Sequence, residues 1–391
     1  MHNLVKENTP RNFWRCQPDF PDEVWENAIS GAIPELGLSH LVDDIKTTLN
    51  LTLGEGRFGP NHWHLNWIKR FYYLLKPYLP RAAIDVIKNF NSHLIENRIP
   101  LNWLVEERYV QFQWEILRKL LRTTHHSNLK FRRFWPDGYR YALVLTHDIE
   151  TSEGQKFALN VADLEESLGF RSSFNFVPER YKIDPNLLKE LRDRGFEIGI
   201  HGLKHDGKLF RSHDTFRKRV RRINHYLKEF DAVGFRSPLT HRNPYWMQEL
   251  DIEYDLSFFD TDPYEPIPGG CMSIWPFFIG KFVELPYTLL QDCTLGLVLG
   301  KSTPQLWIDK VKFLKQYFGM ALLNSHPDYL LQPKIWNLYA DFLNTMKNMG
   351  DFWHVLPREV ARWWQKRKDQ QAVSHQEMGT ITLQKKQIII K

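Results

Sequence analysis

Cysteine is scarce in this sequence. Its three cysteines, Cys16, Cys271 and Cys293, are far apart in a chain of 391 residues and form no Cys-x-x-Cys pair. This spacing argues against a disulfide framework and against a zinc site built from thiolates. The scarcity is compatible with a reducing compartment.

Long apolar runs are also missing. No uninterrupted apolar run approaches the ~20 residues that a membrane-spanning helix requires. Residues 1–7 lack the apolar core of a signal peptide. We therefore expect a cytoplasmic protein without a membrane span, and the sequence leaves its oligomeric state open.

Charge of either sign is not in large excess. The formal net charge is +6, and part of the excess lies in short basic runs at 217–222, 366–368 and 385–386. Such runs are usually solvated surfaces. Binding to nucleic acid would need a basic patch together with a recognisable module, and the sequence contains no such module. We predict no nucleic-acid partner.

One apolar stretch stands out because it runs directly into acidic residues. Residues 141–150 read Tyr-Ala-Leu-Val-Leu-Thr-His-Asp-Ile-Glu, which is typical of a buried strand of a parallel sheet. Ionisable groups at the end of such a strand are costly to bury without partners. Asp148 and Glu150 are therefore predicted to have a function.

Strands and helices alternate after residue 150. Helices are predicted over 157–168, 185–194, 215–230, 304–318 and 334–349, and strands over 172–177, 197–200, 232–235 and 320–323. This alternation is typical of a mainly parallel sheet with crossover helices. The chain is predicted to divide into a mostly helical region of unknown role (1–135), an α/β barrel (136–365) and a polar, basic, disordered tail (366–391).

The region before the barrel contains a loop rich in glycine and histidine. Gly54-x-Gly56-x-x-Gly59 resembles a dinucleotide-binding signature, but no parent strand precedes it and Pro60 follows it. Such a signature is informative only between a strand and a helix. We predict no cofactor here, and a structural or surface role for His62 and His64. A helical pattern begins at residue 67 and is ended by Pro77 and Pro80, and further helices are expected over 82–94 and 109–121.

Polar groups follow four predicted strands. These groups are in 148–150, 201–205, 234–238 and 324–328. Catalytic groups lie at the carboxyl ends of the strands in a strand–helix barrel, so all four segments would open onto one face. His201 and His205 are spaced i,i+4, which is one helical turn. With one carboxylate they would form a His₂-carboxylate metal site that fits zinc and leaves positions open for water and substrate.

The four motifs resemble those of the polysaccharide deacetylase family (carbohydrate esterase family 4, the NodB-like domain). The motifs are Asp148-x-Glu150, His201-xxx-His205, Arg236-Ser-Pro238 and Leu323-xx-His326, in the order and rough spacing of that family. The resemblance covers residues 141–329. It implies a distorted (β/α)7 barrel of the TIM-like kind, and metal-dependent removal of an acetyl group from an N-acetylated sugar.

The resemblance also implies roles for individual residues. Asp148 would be the general base, Arg236 would hold and tune it, and His326 would be the general acid. The implied ligands of a divalent metal, most simply Zn²⁺, are Glu150, His201 and His205. The second acid of the first motif is ordinarily an aspartate, so the sequence leaves open whether Glu150 or Asp148 is the carboxylate ligand.

Two further family motifs depart from the usual pattern. Leu239 stands where the family usually has an aromatic residue, and the acid that would orient His326 is not evident. Asp260, Asp262 and Asp292 are the alternatives. Trp275 is a candidate for the substrate groove.

The sequence therefore predicts a metal-dependent carbohydrate N-deacetylase. Its substrate would be an amino sugar in a polysaccharide, an oligosaccharide or a glycan precursor, and the expected absence of a signal peptide favours a nucleotide- or lipid-linked precursor. Two alternatives are an amidohydrolase acting on a small formamide or ureide, and a catalytically degenerate barrel that binds glycan.

Overall fold

The computed structural model describes residues 3–38, 42, 44–60, 62–63, 100–368, 377–384 and 387–390. The helices predicted over 67–94, and His64, lie outside these residues. No helix in the described part of the chain is both long and apolar enough to cross a membrane.

The first part of the chain is mostly helical, as the sequence predicted. Its helices are α1 (Pro10–Trp14), α2 (Asp22–Ser30), α3 (Ile45–Leu51) and α4 (Arg108–Thr123). Helix α4 covers the segment predicted from its apolar periodicity, and its buried residues, among them Phe112, Ile116 and Leu120, form one face. A strand, β1 (Asn128–Arg132), follows α4.

The α/β part of the chain begins at the apolar strand that carries Asp148. Its strands are β2 (Tyr141–Ile149), β3 (Ser173–Phe176), β4 (Glu197–His201), β5 (Gly234–Arg236), β6 (Tyr254–Asp255), β7 (Phe277–Ile279), β8 (Phe282–Glu284), β9 (Met320–Ser325) and β10 (Phe352–His354). Its helices are α5 (Ser152–Leu168), α6 (Pro185–Asp193), α7 (His213–Glu229), α8 (Gln305–Gln316), α9 (Pro327–Leu330), α10 (Pro333–Met349) and α11 (Pro357–Lys368).

Local sequence sets the helix boundaries. The side chains of Thr151, Asp184 and Ser212 accept hydrogen bonds from backbone N–H groups in the first turns of α5, α6 and α7, which satisfies donors that have no partner within the helix. Helix α5 ends at Gly169, whose φ of +86° is a left-handed conformation that glycine adopts without strain.

The strands form a curled, mainly parallel sheet. Parallel pairing runs from β2 through β3, β4, β5 and β6 to β8. Strands β9 and β10 also pair in parallel with β2, and β7 is antiparallel to β8. Backbone hydrogen bonds also join β9 to Ile274 and Thr288. The predicted α/β class and distorted barrel are confirmed.

The register of the sheet fixes which side chains meet. Asp148 of β2 lies beside Asn175 of β3, and His201 of β4 lies beside Arg236 of β5. Every residue of β2, β4 and β9 is buried. The polar groups that end these strands therefore share one edge of a dry sheet.

The C-terminal segment differs from the prediction of disorder. Residues 378–384 and 387–390 form β11 (Met378–Gln384) and β12 (Gln387–Ile390), and β11 pairs antiparallel with β1. Ile381 is fully buried in this small sheet. The alternating Thr380-Ile381-Thr382-Leu383 pattern is typical of a strand, and the overall polarity of the tail concealed it.

Candidate active site

The first acidic pair lies at the carboxyl end of β2. Asp148 is the next-to-last residue of the strand and Glu150 is the first residue after it. Side chains two positions apart in an extended chain point to the same side, so both carboxylates face the same space. Asp148 is 2% exposed. The backbone N–H of Glu150 donates to Asp328 Oδ2 at 2.9 Å, and Thr151 Oγ1 also donates to Asp328, which fixes the end of the strand.

Glu150, His201 and His205 form a compact group. Glu150 Oε1 and His205 Nε2 are 3.0 Å apart, and one ligand atom from each of the three residues lies within 4.8 Å of the other two. Two imidazole nitrogens and one carboxylate oxygen are a donor set that binds zinc. The arrangement fits a divalent metal, and it contains Glu150 rather than Asp148.

The i,i+4 spacing predicts a helical turn for the two histidines, and this prediction is wrong. His201 ends β4, and an irregular turn carries His205. Gly202 and His205 both have left-handed backbones, with φ of +65° and +52°. A Cβ on Gly202 would lie 2.5 Å from Pro238 Cδ. Glycine is therefore needed at this position by both its conformation and its close contact.

The hydrogen bond and the burial of His201 favour the neutral form of its ring. Its Nδ1 lies 3.2 Å from the carbonyl oxygen of Arg236, and because a carbonyl only accepts, Nδ1 carries the proton and Nε2 keeps its lone pair. Burial lowers the pKa of His201 to about 4, against the opposing charge of Asp148. The ring is neutral at neutral pH, which is the form that binds metals.

Asp148 is held by three side chains. Its Oδ1 accepts from Arg236 Nη1 at 3.1 Å and from Asn175 Nδ2 at 3.0 Å, and its Oδ2 accepts from Asn324 Nδ2 at 3.0 Å. Burial would raise the pKa of Asp148, but the positive charge of Arg236 and the neighbouring imidazoles hold it well below its ordinary value. Asp148 is therefore a carboxylate at neutral pH. Sequence reasoning missed Asn175 and Asn324, whose only signal was an amide inside a buried strand.

Arg236 is fixed as firmly as the carboxylate it contacts. Its Nε donates to the carbonyl of Leu256 at 3.0 Å, and its Nη1 donates to Thr146 Oγ1 at 3.0 Å and also to Asn324. The side chain is almost completely buried. A guanidinium in this position both orients Asp148 and compensates its charge.

His326 follows β9 and is paired with Asp292. His326 Nδ1 lies 2.7 Å from Asp292 Oδ1, and the backbone N–H of His326 donates to Asp292 Oδ2 at 2.9 Å. Burial opposes protonation, but the charge of Asp292 raises the pKa of His326 to about 9. His326 Nε2 lies 4.0 Å from Asp148 Oδ2. An imidazole held cationic at neutral pH thus faces an ionised carboxylate.

The structure decides among the three acids that the sequence left open. Asp292 contacts His326, whereas Asp260 pairs with Lys310 at 2.6 Å. Asp262 accepts from the backbone N–H of Tyr264 at 2.9 Å.

Trp275 is not a groove residue, contrary to the prediction. Its side chain is fully buried, and its ring stacks on Trp114 and Phe134. Its indole N–H donates to the carbonyl of Phe318 at 2.9 Å. Trp275 therefore joins the N-terminal helices to the barrel through the hydrophobic core.

Comparison with known proteins finds a family that part of this chain matches. Residues 140–252 match the family described as polysaccharide deacetylase, which confirms the resemblance seen in the sequence. No curated protein gives a significant match.

Two solved structures share the fold. A protein from Mycobacterium smegmatis assigned to the polysaccharide deacetylases has 20% identity and a TM-score of 0.51, over 62% of this chain and 97% of the other. A protein from Pseudomonas aeruginosa PAO1 with the same assignment has 16% identity and a TM-score of 0.50, over 60% of this chain and 94% of the other.

Proposed function

We propose that this chain, whose residues 140–252 match the polysaccharide deacetylase family, is a metal-dependent hydrolase that removes an N-acetyl group from an amino sugar. The substrate would be part of a polysaccharide, an oligosaccharide or a glycan precursor. One observation carries the proposal. Three sets of side chains meet at one edge of the sheet, namely the group Glu150–His201–His205, the Asp148–Arg236 pair and the His326–Asp292 pair.

Glu150, His201 and His205 would hold the metal, and Zn²⁺ fits their donor atoms best. When bound, such an ion lowers the pKa of a water ligand and polarises the amide carbonyl. Asp148 instead accepts hydrogen bonds from Arg236, Asn175 and Asn324. Glu150 is accordingly the carboxylate ligand in this proposal, and Asp148 keeps its oxygens for proton transfer.

The remaining residues supply the two proton transfers. Asp148 accepts a proton from the attacking water, and its low pKa keeps it ready to do so at neutral pH. The water oxygen forms a bond to the acetyl carbon, and the C–N bond then breaks. His326 donates its Nε2 proton to the departing sugar nitrogen, while Asp292 holds the ring by Nδ1.

The proposal extends to the predicted domains and location. It keeps the helical region 1–135, the barrel 136–365 and the segment 366–391 as the units of the chain. It also keeps a cytoplasmic location, which favours a nucleotide- or lipid-linked glycan precursor over a mature wall polymer. Fractionation of the source cells tests the location.

The first experiment measures metal content and acetate release together. Wild-type protein loaded with zinc is expected to release acetate from N-acetylglucosamine oligomers, and His201→Ala and His205→Ala are expected to lose both the metal and the activity. Acetate release by the double variant without metal would contradict the mechanism.

A panel of substrates separates the alternatives. Preferred cleavage of formamides or ureides would indicate a small-amide hydrolase. Stoichiometric zinc without hydrolysis of any amide would indicate a degenerate glycan-binding barrel. Acetate release from the sugar oligomers alone supports the deacetylase.

A further inference from the structure

The glycine-rich loop of the N-terminal region presents a single carboxylate to the barrel. The loop follows helix α3 rather than a strand, so it lacks the context of a dinucleotide-binding site. A Cβ on Gly54 or on Gly56 would lie 2.7 or 2.8 Å from the carbonyl oxygen of Asn50. These glycines permit tight packing, and they place Glu55 between them in a left-handed conformation with φ of +56°.

Glu55 forms a buried, bidentate ion pair with Arg242. Its Oε2 accepts from Arg242 Nε at 2.9 Å and its Oε1 from Nη2 at 2.5 Å. The same carboxylate accepts from the backbone N–H of Gly270 at 2.7 Å and contacts His62 Nε2 at 3.2 Å. Glu55 is 1% exposed and Arg242 is fully buried. Two-point pairing of this kind fixes the direction of the guanidinium.

Arg242 in turn holds a strained turn of the barrel. Its Nη1 donates to the carbonyl oxygen of Thr240 at 2.8 Å. Leu239 and Thr240 have φ of +59° and +54°, a conformation that is unfavourable for residues other than glycine and most of all for a β-branched one. Thr240 Oγ1 also donates to Glu265 at 2.8 Å. Such strain persists only where the surroundings enforce it.

This turn packs against the turn that carries the metal ligands. Pro238 leaves no room for a Cβ on Gly202, the residue after His201. Leu239 Cδ1 lies 3.7 Å from the position of a Cβ on Gly207, two residues beyond His205. Pro238 also lines a small pocket together with His205. A shift of the Leu239–Thr240 turn would therefore be passed on to both histidines.

We propose that Glu55 is a positioning residue of the active site. Through Arg242 it fixes the Leu239–Thr240 turn, which holds His201 and His205 in the geometry that binds metal. The inference rests on the proposed function, because it gives the N-terminal region a role in that same site. It assigns the helical region a share in metal binding and catalysis.

The test removes the ion pair without leaving a buried charge. Glu55→Gln alone would leave Arg242 buried without its counter-ion, which destabilises the fold itself. The double variant Glu55→Leu/Arg242→Met replaces both groups by apolar ones, a change that is often neutral for stability. The control, Glu197→Gln/Arg358→Met, likewise removes both charges of a buried pair, because Arg358 pairs with Glu197 at 3.2 Å at the opposite end of β4 from His201.

Zinc affinity is measured by competition with a chromogenic chelator, after circular dichroism has shown that each variant is folded. The double variant is expected to bind zinc about tenfold more weakly and to lose about 10–100-fold in kcat/KM, the size of effect usual for groups that orient metal ligands. The control Glu197→Gln/Arg358→Met is expected to leave both quantities within twofold of wild type.

Two results would overturn the inference. One is a folded Glu55→Leu/Arg242→Met variant that binds zinc within twofold of wild type, and the other is an equal loss of zinc affinity in the control Glu197→Gln/Arg358→Met. Failure of the proposed function gives a different result. In that case wild type releases no acetate, while the loss of zinc affinity in the double variant still reports the positioning by Glu55.

Discussion

Two buried histidine–carboxylate pairs lie close together in this barrel and differ in what they can do. His326 pairs with Asp292 at 2.7 Å, and His147 pairs with Glu165 at 2.6 Å. Both histidines are adjacent in sequence to polar residues at a strand end, and all four side chains are buried. Distance and burial alone do not distinguish the two pairs.

The second ring nitrogen distinguishes them. His147 uses both of its nitrogens inside the protein, because Nδ1 contacts Ser325 Oγ at 2.8 Å while Nε2 contacts Glu165. Glu165 also accepts from Ser172 Oγ at 2.6 Å and from the hydroxyl of Tyr339. His326 has Asp292 on Nδ1, and its Nε2 faces Asp148 from 4.0 Å, beyond hydrogen-bond distance.

A buried serine–histidine–carboxylate series need not be catalytic. Ser325, His147 and Glu165 form a hydrogen-bonded series of the kind that activates a nucleophilic serine, yet all three are fully buried among packed residues. A substrate cannot reach them, so the series joins β2 and β9 to α5. The His326–Asp292 pair can act on a substrate because one nitrogen remains directed at the site.

The largest difference between the pairs is expected from the histidines themselves. His326→Gln removes the proposed general acid and should lower kcat by about 10²–10⁴-fold, with zinc content unchanged. His147→Gln should lower the free energy of unfolding while kcat stays within about threefold of wild type. Steady-state acetate release and urea denaturation of both variants measure this. Equal losses of kcat would remove the distinction.

A smaller effect is expected from Asp292→Asn, because His326 remains but loses its orientation and its counter-ion. Loss of such a partner typically costs 10–100-fold in activity. Asp292 raises the pKa of His326 from 6.5 to about 9, so activity that needs the imidazolium is lost as pH rises through the folded value. A bound dication opposes the imidazolium charge, so the alkaline limb of the loaded enzyme is expected below 9.

The pH profile of kcat/KM tests this prediction. In Asp292→Asn the alkaline limb should move toward lower pH than in wild type. The free energy of unfolding is expected to depend on pH in the same direction as the activity. The His326–Asp292 pair stabilises the fold below about pH 6.5, the ordinary pKa of histidine, and that contribution disappears as pH rises through about 9. An alkaline limb that is the same in both proteins would show that His326 is not the group that titrates.

The smallest effect on activity is expected from Glu165→Ala. This change leaves His147, Ser172 and Tyr339 without their shared acceptor, and removal of one partner from a buried pair typically costs about 3–5 kcal/mol. Urea denaturation should show that loss, while kcat of the folded protein stays within about threefold of wild type. A fall in kcat as large as that of Asp292→Asn would assign the inner pair a part in catalysis.

The sequence predicted the parts of this molecule that depend on local pattern. The apolar run of β2 and the helical periodicity of α4 and α7 are properties of neighbouring residues. The four polar strand ends also meet as expected, because parallel strands bring their carboxyl ends to one edge.

The parts that depend on tertiary contacts could not be predicted. Asp292 contacts His326 although the two are 34 residues apart in the sequence. The sequence alone did not distinguish Asp292 from Asp262 as the partner of His326. Asn175 and Asn324 look like ordinary strand residues until the register places them on Asp148. Spacing suggested a helical turn for His201 and His205, whereas close packing of Pro238 on Gly202 imposes a different turn.

The division of labour between the two acids of β2 is the central claim, and the variant Asp148→Asn tests it most directly. Zinc content and acetate release are measured on the same sample, with Glu150→Gln as the matched variant. The account predicts that Asp148→Asn keeps its zinc and loses about 10²–10⁴-fold in kcat, while Glu150→Gln loses the zinc. Loss of zinc from Asp148→Asn with zinc retained in Glu150→Gln would contradict it.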